Sequence, residues 1–360
     1  MSASTAAPDV LEAAIADARR HARRRRARNV ALAFALLAAT AAIAVTLIER
    51  GPALRASAAP AVPPVAKHNG LLTILTAEPS ARAGWYGISR IGIDGRLHPF
   101  IHCPNRAKWC GEPESIAWTA QGDRLALSVA SFALRNAYNG IHVIDTRTHR
   151  DTQIRTRGDP PGETDWFDLA WSPDGRTLAY IPSGLSHVSS GTIVLVDANG
   201  GHRHVLPAPR GRKSSPTWSP DGTQIAFADD VDGHHFIYRV DRDGRNLRLL
   251  TDHGSAPAWS RTNLIAYHTD CGIRLMHPDG AAVVPPTARP CGAIGLPRLA
   301  NPVWSPDGTQ IAATLSLRRP DPTRGTYVMQ HDGTHVHRVT PATLSVFVGQ
   351  RPRVAWQPVR

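Results

Sequence analysis

Histidine is the first place to look for chemistry in this 360-residue chain, which carries 17 of them. His202 and His204 are spaced i, i+2, and so are His335 and His337. On a β-strand that spacing puts both imidazoles on one face, where they could hold Zn or Mn. The two pairs lie far apart on what read as solvated outer strands. Surface imidazoles are therefore expected, and no metal site is assigned. Asp229-Asp230-Val231-Asp232-Gly233 resembles the start of a calcium loop but lacks the later Glu, and reads as a turn. Neither a Gly-x-Ser-x-Gly elbow nor a phosphate-cradling glycine loop occurs. No catalytic residue and no cofactor is assigned, and the chain is expected not to be an enzyme.

The elements that would position any site form a repeat. Trp-Ser-Pro-Asp-Gly occurs at Trp171–Gly175, Trp218–Gly222 and Trp304–Gly308. Degenerate copies start at Trp118 (WTAQG) and Trp259 (WSRTN), and Trp356-Gln357-Pro358 is a last partial copy. Successive Trp residues are 53, 47, 41, 45 and 52 positions apart. A β-like run follows each of the first five, as in Gln224–Ala228 and Gln310–Leu315. A third strand, a second turn and a fourth strand come next: Ile237–Val240, Asp241-Arg242-Asp243-Gly244, then Arg245–Leu250. Four strands per unit of this length predict a propeller blade. Pro presets φ at the turn, and Gly supplies its positive-φ position. The six repeat Trp residues are expected on the innermost strands, wedged between blades.

The count reaches six only if the ends join. Leu71–Thr76, Tyr86–Ile93 and Arg96–Ile101 lack a first strand, and Arg353–Gln357 is a first strand without followers. Pairing them completes a blade, removes exposed sheet edges and leaves no residues for a further C-terminal domain. The fold class expected is all-β, a six-bladed β-propeller over residues 70–360.

Trp-Ser-Pro-Asp-Gly followed by Ile-Ala-Phe, Ile-Tyr-x-x-Asp-x-Asp-Gly and a basic-Leu-Leu-Thr strand resembles the TolB-type, WD40-like propeller repeat; Trp218–Thr251 is the best copy. The resemblance implies the fold and is poorly specific for function. TolB carries an α/β domain before its propeller, whereas this chain has a different N-terminal region, so a Tol-system role is not implied. Related propellers include metal-dependent polysaccharide lyases with His ligands near the channel; no such set can be assembled from this sequence.

That N-terminal region reads as a membrane anchor. Val30 to Ile48 are uncharged, with only Thr40 and Thr46 polar, and 19 residues approach the length of a bilayer-spanning helix. The basic run Arg19 to Arg28 precedes them, which keeps the N-terminus cytoplasmic and places the rest outside. The expected division is a basic cytoplasmic segment over 1–28, a transmembrane helix over 29–49, an Ala/Pro-rich linker over 50–69, and the propeller. A cleaved signal peptide fits less well, because the stretch before the apolar run is long. Formal charge is +12 overall, yet the only dense basic run abuts the apolar segment, so nucleic-acid binding is not expected.

Blade topology sorts the loops. Second-to-third turns and blade-to-blade connections share one face. Cys103, Cys110, Cys271 and Cys291 all fall there, and an extracytoplasmic chain with four Cys is expected to pair Cys103–Cys110 and Cys271–Cys291. Trp85, Trp109 and Trp166 gather on the same face as candidate partner-binding anchors. The linker enters on the opposite face, so this face is expected to point away from the membrane. The function expected is non-catalytic binding of a protein or cell-envelope component by a monomeric, single-pass membrane protein. The alternatives are a metal-dependent enzyme or small-ligand sensor using the channel, and transmembrane signalling through residues 1–28.

Overall fold

The computed structural model describes residues 69–77, 86–91, 96–101, 112–130, 140–154, 164–184, 192–209, 211–283, 299–315, 325–340 and 354–358. The anchor region and all but the last residue of the linker lie outside these ranges. Among the described residues no helix is long and apolar enough to cross a membrane.

The described strands form six four-stranded antiparallel sheets. Blades 2 to 6 each take four strands in chain order. Their first strands are Glu112–Trp118, Thr164–Trp171, Arg212–Trp218, Ser255–Trp259 and Leu299–Trp304. Blade 1 is built from both ends: Val354–Gln357 pairs with Leu71–Ala77, which pairs with Tyr86–Ile91 and then Leu97–Ile101. The closing register sets Leu71 opposite Gln357 and Ile74 opposite Val354. First strands of successive blades approach one another all the way round, from blade 1 back to blade 1. They form the inner ring expected of a propeller.

Second strands are apolar on both faces because blades cover both. Ile225–Asp229 are buried without a break, and Gln310–Leu315 is buried at all but its first residue. Outer strands are short and exposed, as at Arg248–Thr251. That strand begins three residues later than expected. Asp241 N–H donates to the Arg245 carbonyl and Asn246 has φ of 53°, so the second turn extends further along the chain.

The repeat motif is a self-contained turn. Ser172 Oγ donates to Asp174 Oδ1 at 2.5 Å and accepts from Thr177 N–H at 3.0 Å. Ser219 with Asp221 and Ser305 with Asp307 repeat this geometry. The serine hydroxyl holds Asp174 and Asp221 below the usual carboxylate range. Where blade 5 reads Trp-Ser-Arg-Thr-Asn, Asn263 takes the left-handed position at φ 63°. Asn tolerates that region better than other non-glycine residues.

Candidate binding cleft at the channel mouth

Five of the six repeat Trp residues end a first strand, and Trp356 stands one residue before the end of its own. Each is no more than 9% exposed and packs toward the preceding blade. Four indoles also tie blades together by hydrogen bonds. Trp218 Nε1 donates to the Ala170 carbonyl at 3.1 Å, Trp304 to Ala258 at 2.9 Å and Trp356 to Val303 at 3.2 Å. Trp118 donates to Thr73 Oγ1 instead, at 3.2 Å. Trp259 donates within its own turn, to Asn263, and the buried Trp171 Nε1 has no acceptor. These hydrogen bonds were not legible in the motif.

The histidine pairs do not form shared faces. His202 and His335 have φ of 45° and 55° and lie in turns, so strand alternation never includes them. His202 Nδ1 contacts Asp197 Oδ2 at 2.6 Å, and His337 Nδ1 contacts the His335 carbonyl at 2.9 Å. The acidic segment at 229–233 is likewise not all turn. Asp229 to Val231 belong to a strand, and only Asp232 and Gly233, with φ of 53° and 83°, make the hairpin loop.

Of the loop-face candidates, Trp85 and Trp109 lie outside the described residues. The backbone of Trp166 pairs with Ser183 in blade 3, and its side chain is also outside the description. Cys271 stands at the second-to-third turn of blade 5 and is disulfide-bonded. Cys103, Cys110 and Cys291 lie outside the described residues, and with them the pairing.

That face holds a cleft of about 660 Å³ across blades 4, 5 and 6. Ser215, Ala256 and Asn301 line it, each three residues before a repeat Trp and each left-handed, at φ of 52°, 49° and 53°. Pro216, Pro257 and Pro302 follow them. Proline has no N–H for the ladder, and the register of all three strands slips there. Blades 2 and 3 have Ile116 and Leu169 at that position, and Ser115 and Asp168 before them are not left-handed. The recurring Pro-x-Trp was the signal in the sequence that marked the cleft.

The walls of the cleft carry charged and hydrogen-bonding side chains. Arg212 Nη2 reaches Asp230 Oδ2 at 3.2 Å, and His235 Nδ1 lies 3.7 Å from the same oxygen. His253 contacts Asp252. His268 Nδ1 is 3.3 Å from Ser255 Oγ. Burial holds the His268 pKa below the ordinary imidazole value, with His235 adding to this and Asp270 opposing it. Lys213 Nζ bonds Asp229 Oδ1 at 2.8 Å with neither side chain exposed, and also donates to the Pro209 and Gly211 carbonyls. Burial keeps Asp229 above the ordinary carboxylate value, with Lys213 opposing, and its Oδ2 has no hydrogen-bond partner. Among the described residues no group of three or more His, Cys, Asp or Glu is placed to hold a metal.

No family model matches the sequence. A stretch of 160 residues is 28% identical to an uncharacterized protein of Agrobacterium fabrum, covering 39% of this chain and 52% of that protein. Another of 103 residues is 34% identical to the uncharacterized peptidase YuxL of Bacillus subtilis, covering 26% of this chain and 15% of that one. The matched stretches thus span about half of the first relative and a small part of the second. Among solved structures, TolB from Acinetobacter baumannii superposes with a TM-score of 0.58 at 18% identity, covering 81% of this chain and 67% of that one. A chain in a nidogen/laminin complex gives 0.55 at 14%, covering 80% and 98%. A protein assigned as TolB, from Agrobacterium tumefaciens, gives 0.53 at 16%, covering 75% and 88%. The chain is a six-bladed β-propeller of the TolB-like fold, and at this identity it is not TolB itself.

Proposed function

We propose that this chain is a non-catalytic, membrane-anchored propeller that binds a protein or cell-envelope component outside the cytoplasm through its loop face. The observation that carries the reading is the loop-face cleft, lined by charged and hydrogen-bonding side chains, where three successive first strands break register. A closed ring of blades is a rigid support, and binding groups sit on loops held by such supports. The anchor over 29–49 would tether that face, and Cys103–Cys110 and Cys271–Cys291 would brace its loops.

Two experiments test this. Photo-crosslinkers at Asp232, exposed on the loop face outside the cleft lining, and at Asp243, on the turn face, are compared in intact membranes. Partner capture from Asp232 and not from Asp243 is expected, and the reverse pattern overturns the reading. A phosphatase reporter fused after Pro358 is expected to be active, as only extracytoplasmic phosphatase is. An inactive reporter with a bright cytoplasmic fluorescent fusion overturns the topology.

A further inference from the structure

We propose that the cleft across blades 4 to 6 receives a cationic side chain, the guanidinium or ammonium group of a protein partner. This rests on the loop-face reading above and names its chemistry. Among the described residues the lining contains no Phe, Tyr, Trp, Leu, Ile or Val. The described lining thus has no ring to stack on and no large apolar side chain, the usual means of holding a sugar ring or a greasy anchor. What the lining offers is charge and hydrogen bonding.

The charge is acidic, although the whole chain carries +12. Among the described residues four aspartates line the cleft against one arginine. Asp230 is matched by Arg212 and Asp229 by Lys213. Asp252 and Asp270 remain without a fixed cation, so with neutral imidazoles the walls carry net negative charge. An anion entering here would meet both carboxylates, and Arg212, the guanidinium among the described lining residues, is already engaged by Asp230. His268, kept neutral by burial, adds no repulsion toward a cation. Concave walls of low polarisability concentrate such a field.

Hydrogen bonding points the same way. Asp229 Oδ2, on a side chain with no exposed surface, is an acceptor without a donor. Buried acceptors in native proteins are nearly always paired. Ammonium and guanidinium groups are pure donors, so they satisfy acceptors and neutralise carboxylates together.

The test uses the purified full-length chain in detergent, at about pH 8 so that most ordinary imidazoles are neutral. The probes are acetyl-Gly-Arg-Gly-amide and the same peptide with citrulline or Glu at its centre, titrated calorimetrically. The arginine peptide is expected to bind about tenfold tighter than the citrulline peptide at low salt and to lose that advantage at high salt. The Glu peptide is expected not to compete. Asp252→Asn/Asp270→Asn changes two exposed residues and is expected to abolish the preference while leaving the thermal melt unchanged. Equal affinity for the arginine and citrulline peptides, no arginine binding, or full affinity in the double variant overturns the proposal. Crosslinking at Asp232 with no arginine preference would remove this inference and leave the loop-face reading standing. Crosslinking confined to Asp243 with the preference intact would do the opposite.

Discussion

Lys213 and Asp229 stand opposite each other on the first two strands of blade 4, Nζ to Oδ1 2.8 Å apart, with neither side chain exposed. Two ions buried together are balanced by their mutual attraction and by the Pro209 and Gly211 carbonyls that take the other ammonium protons. Removing one leaves the other uncompensated. Lys213→Met is expected to lower the unfolding free energy by about 3–5 kcal/mol. Lys213→Met/Asp229→Leu is expected to recover most of it, because a well-packed apolar pair replaces the ions at little net cost. Urea titration of the three proteins checks this.

The indole hydrogen bonds differ between blades, so the same substitution has unequal effects. Trp218→Phe removes the donor to the half-buried Ala170 carbonyl between blades 3 and 4 and is expected to cost about 1 kcal/mol beyond the lost packing. Trp171 Nε1 has no acceptor, so Trp171→Phe is expected to be milder, since it also removes an unpaired buried donor. Equal losses for the two variants in denaturant unfolding would contradict this.

Stability should fall on mild acidification through His268. Its folded pKa lies below the unfolded imidazole value of 6.5, so the unfolded chain takes up a proton first as pH drops. Its contribution is complete above 6.5 and is lost as pH falls toward the lower, folded value. His268→Asn is expected to flatten the stability profile over that interval by up to one proton. The carboxylates of Asp174 and Asp221 act at lower pH. Their pKa values are depressed, so their contribution is present above the unfolded value and lost as pH falls through the folded one.

Ring closure depends on Gly70. Its φ is 73°, and a Cβ there would lie 1.8 Å from the Gln357 carbonyl oxygen. Gly70→Ala is expected to raise hydrogen exchange in Leu71–Ala77 and Val354–Gln357 well before blade 4 is affected. Uniform exchange through all blades would count against local opening.

Cysteine pairing is expected to be Cys103–Cys110 and Cys271–Cys291. A bridge closing about 20 residues contributes on the order of 3 kcal/mol in the chain-entropy account. Non-reducing peptide mapping reads the pairing directly, and Cys271 joined to any residue other than Cys291 refutes it.

The propeller was legible because its signals are local and repeated. Trp at near-regular spacing, Pro-Asp-Gly turns and unbroken apolar second strands each follow from the same packing demand, made in every blade. Even the non-local pairing of Leu71 with Gln357 could be counted out, since the first and last strands each lacked a partner. The cleft was not legible in the same way. It draws on Arg212, Asp230, His268 and Asn301, which three different blades supply and no spacing rule connects. Histidine spacing misled because a left-handed residue at His202 or His335 cancels strand alternation, and its backbone angle leaves no trace in residue type. Pro216, Pro257 and Pro302 did carry information, as the only residues in those strands that cannot donate to the ladder.

The closing pair has a consequence for the order in which the molecule is made. Within the propeller, three strands of blade 1 leave the ribosome first, yet their inner neighbour, Val354–Gln357, is synthesised some 280 residues after Leu71. Blade 1 is therefore begun first and finished last. Until then Leu71–Ala77 carries an unpaired edge, of the kind that recruits other strands. Contacts this distant are also the slowest to form. The nascent chain thus holds an open ring with a vacant berth throughout its synthesis, and only its own last strand, arriving in register, turns five finished blades and one incomplete blade into a wheel.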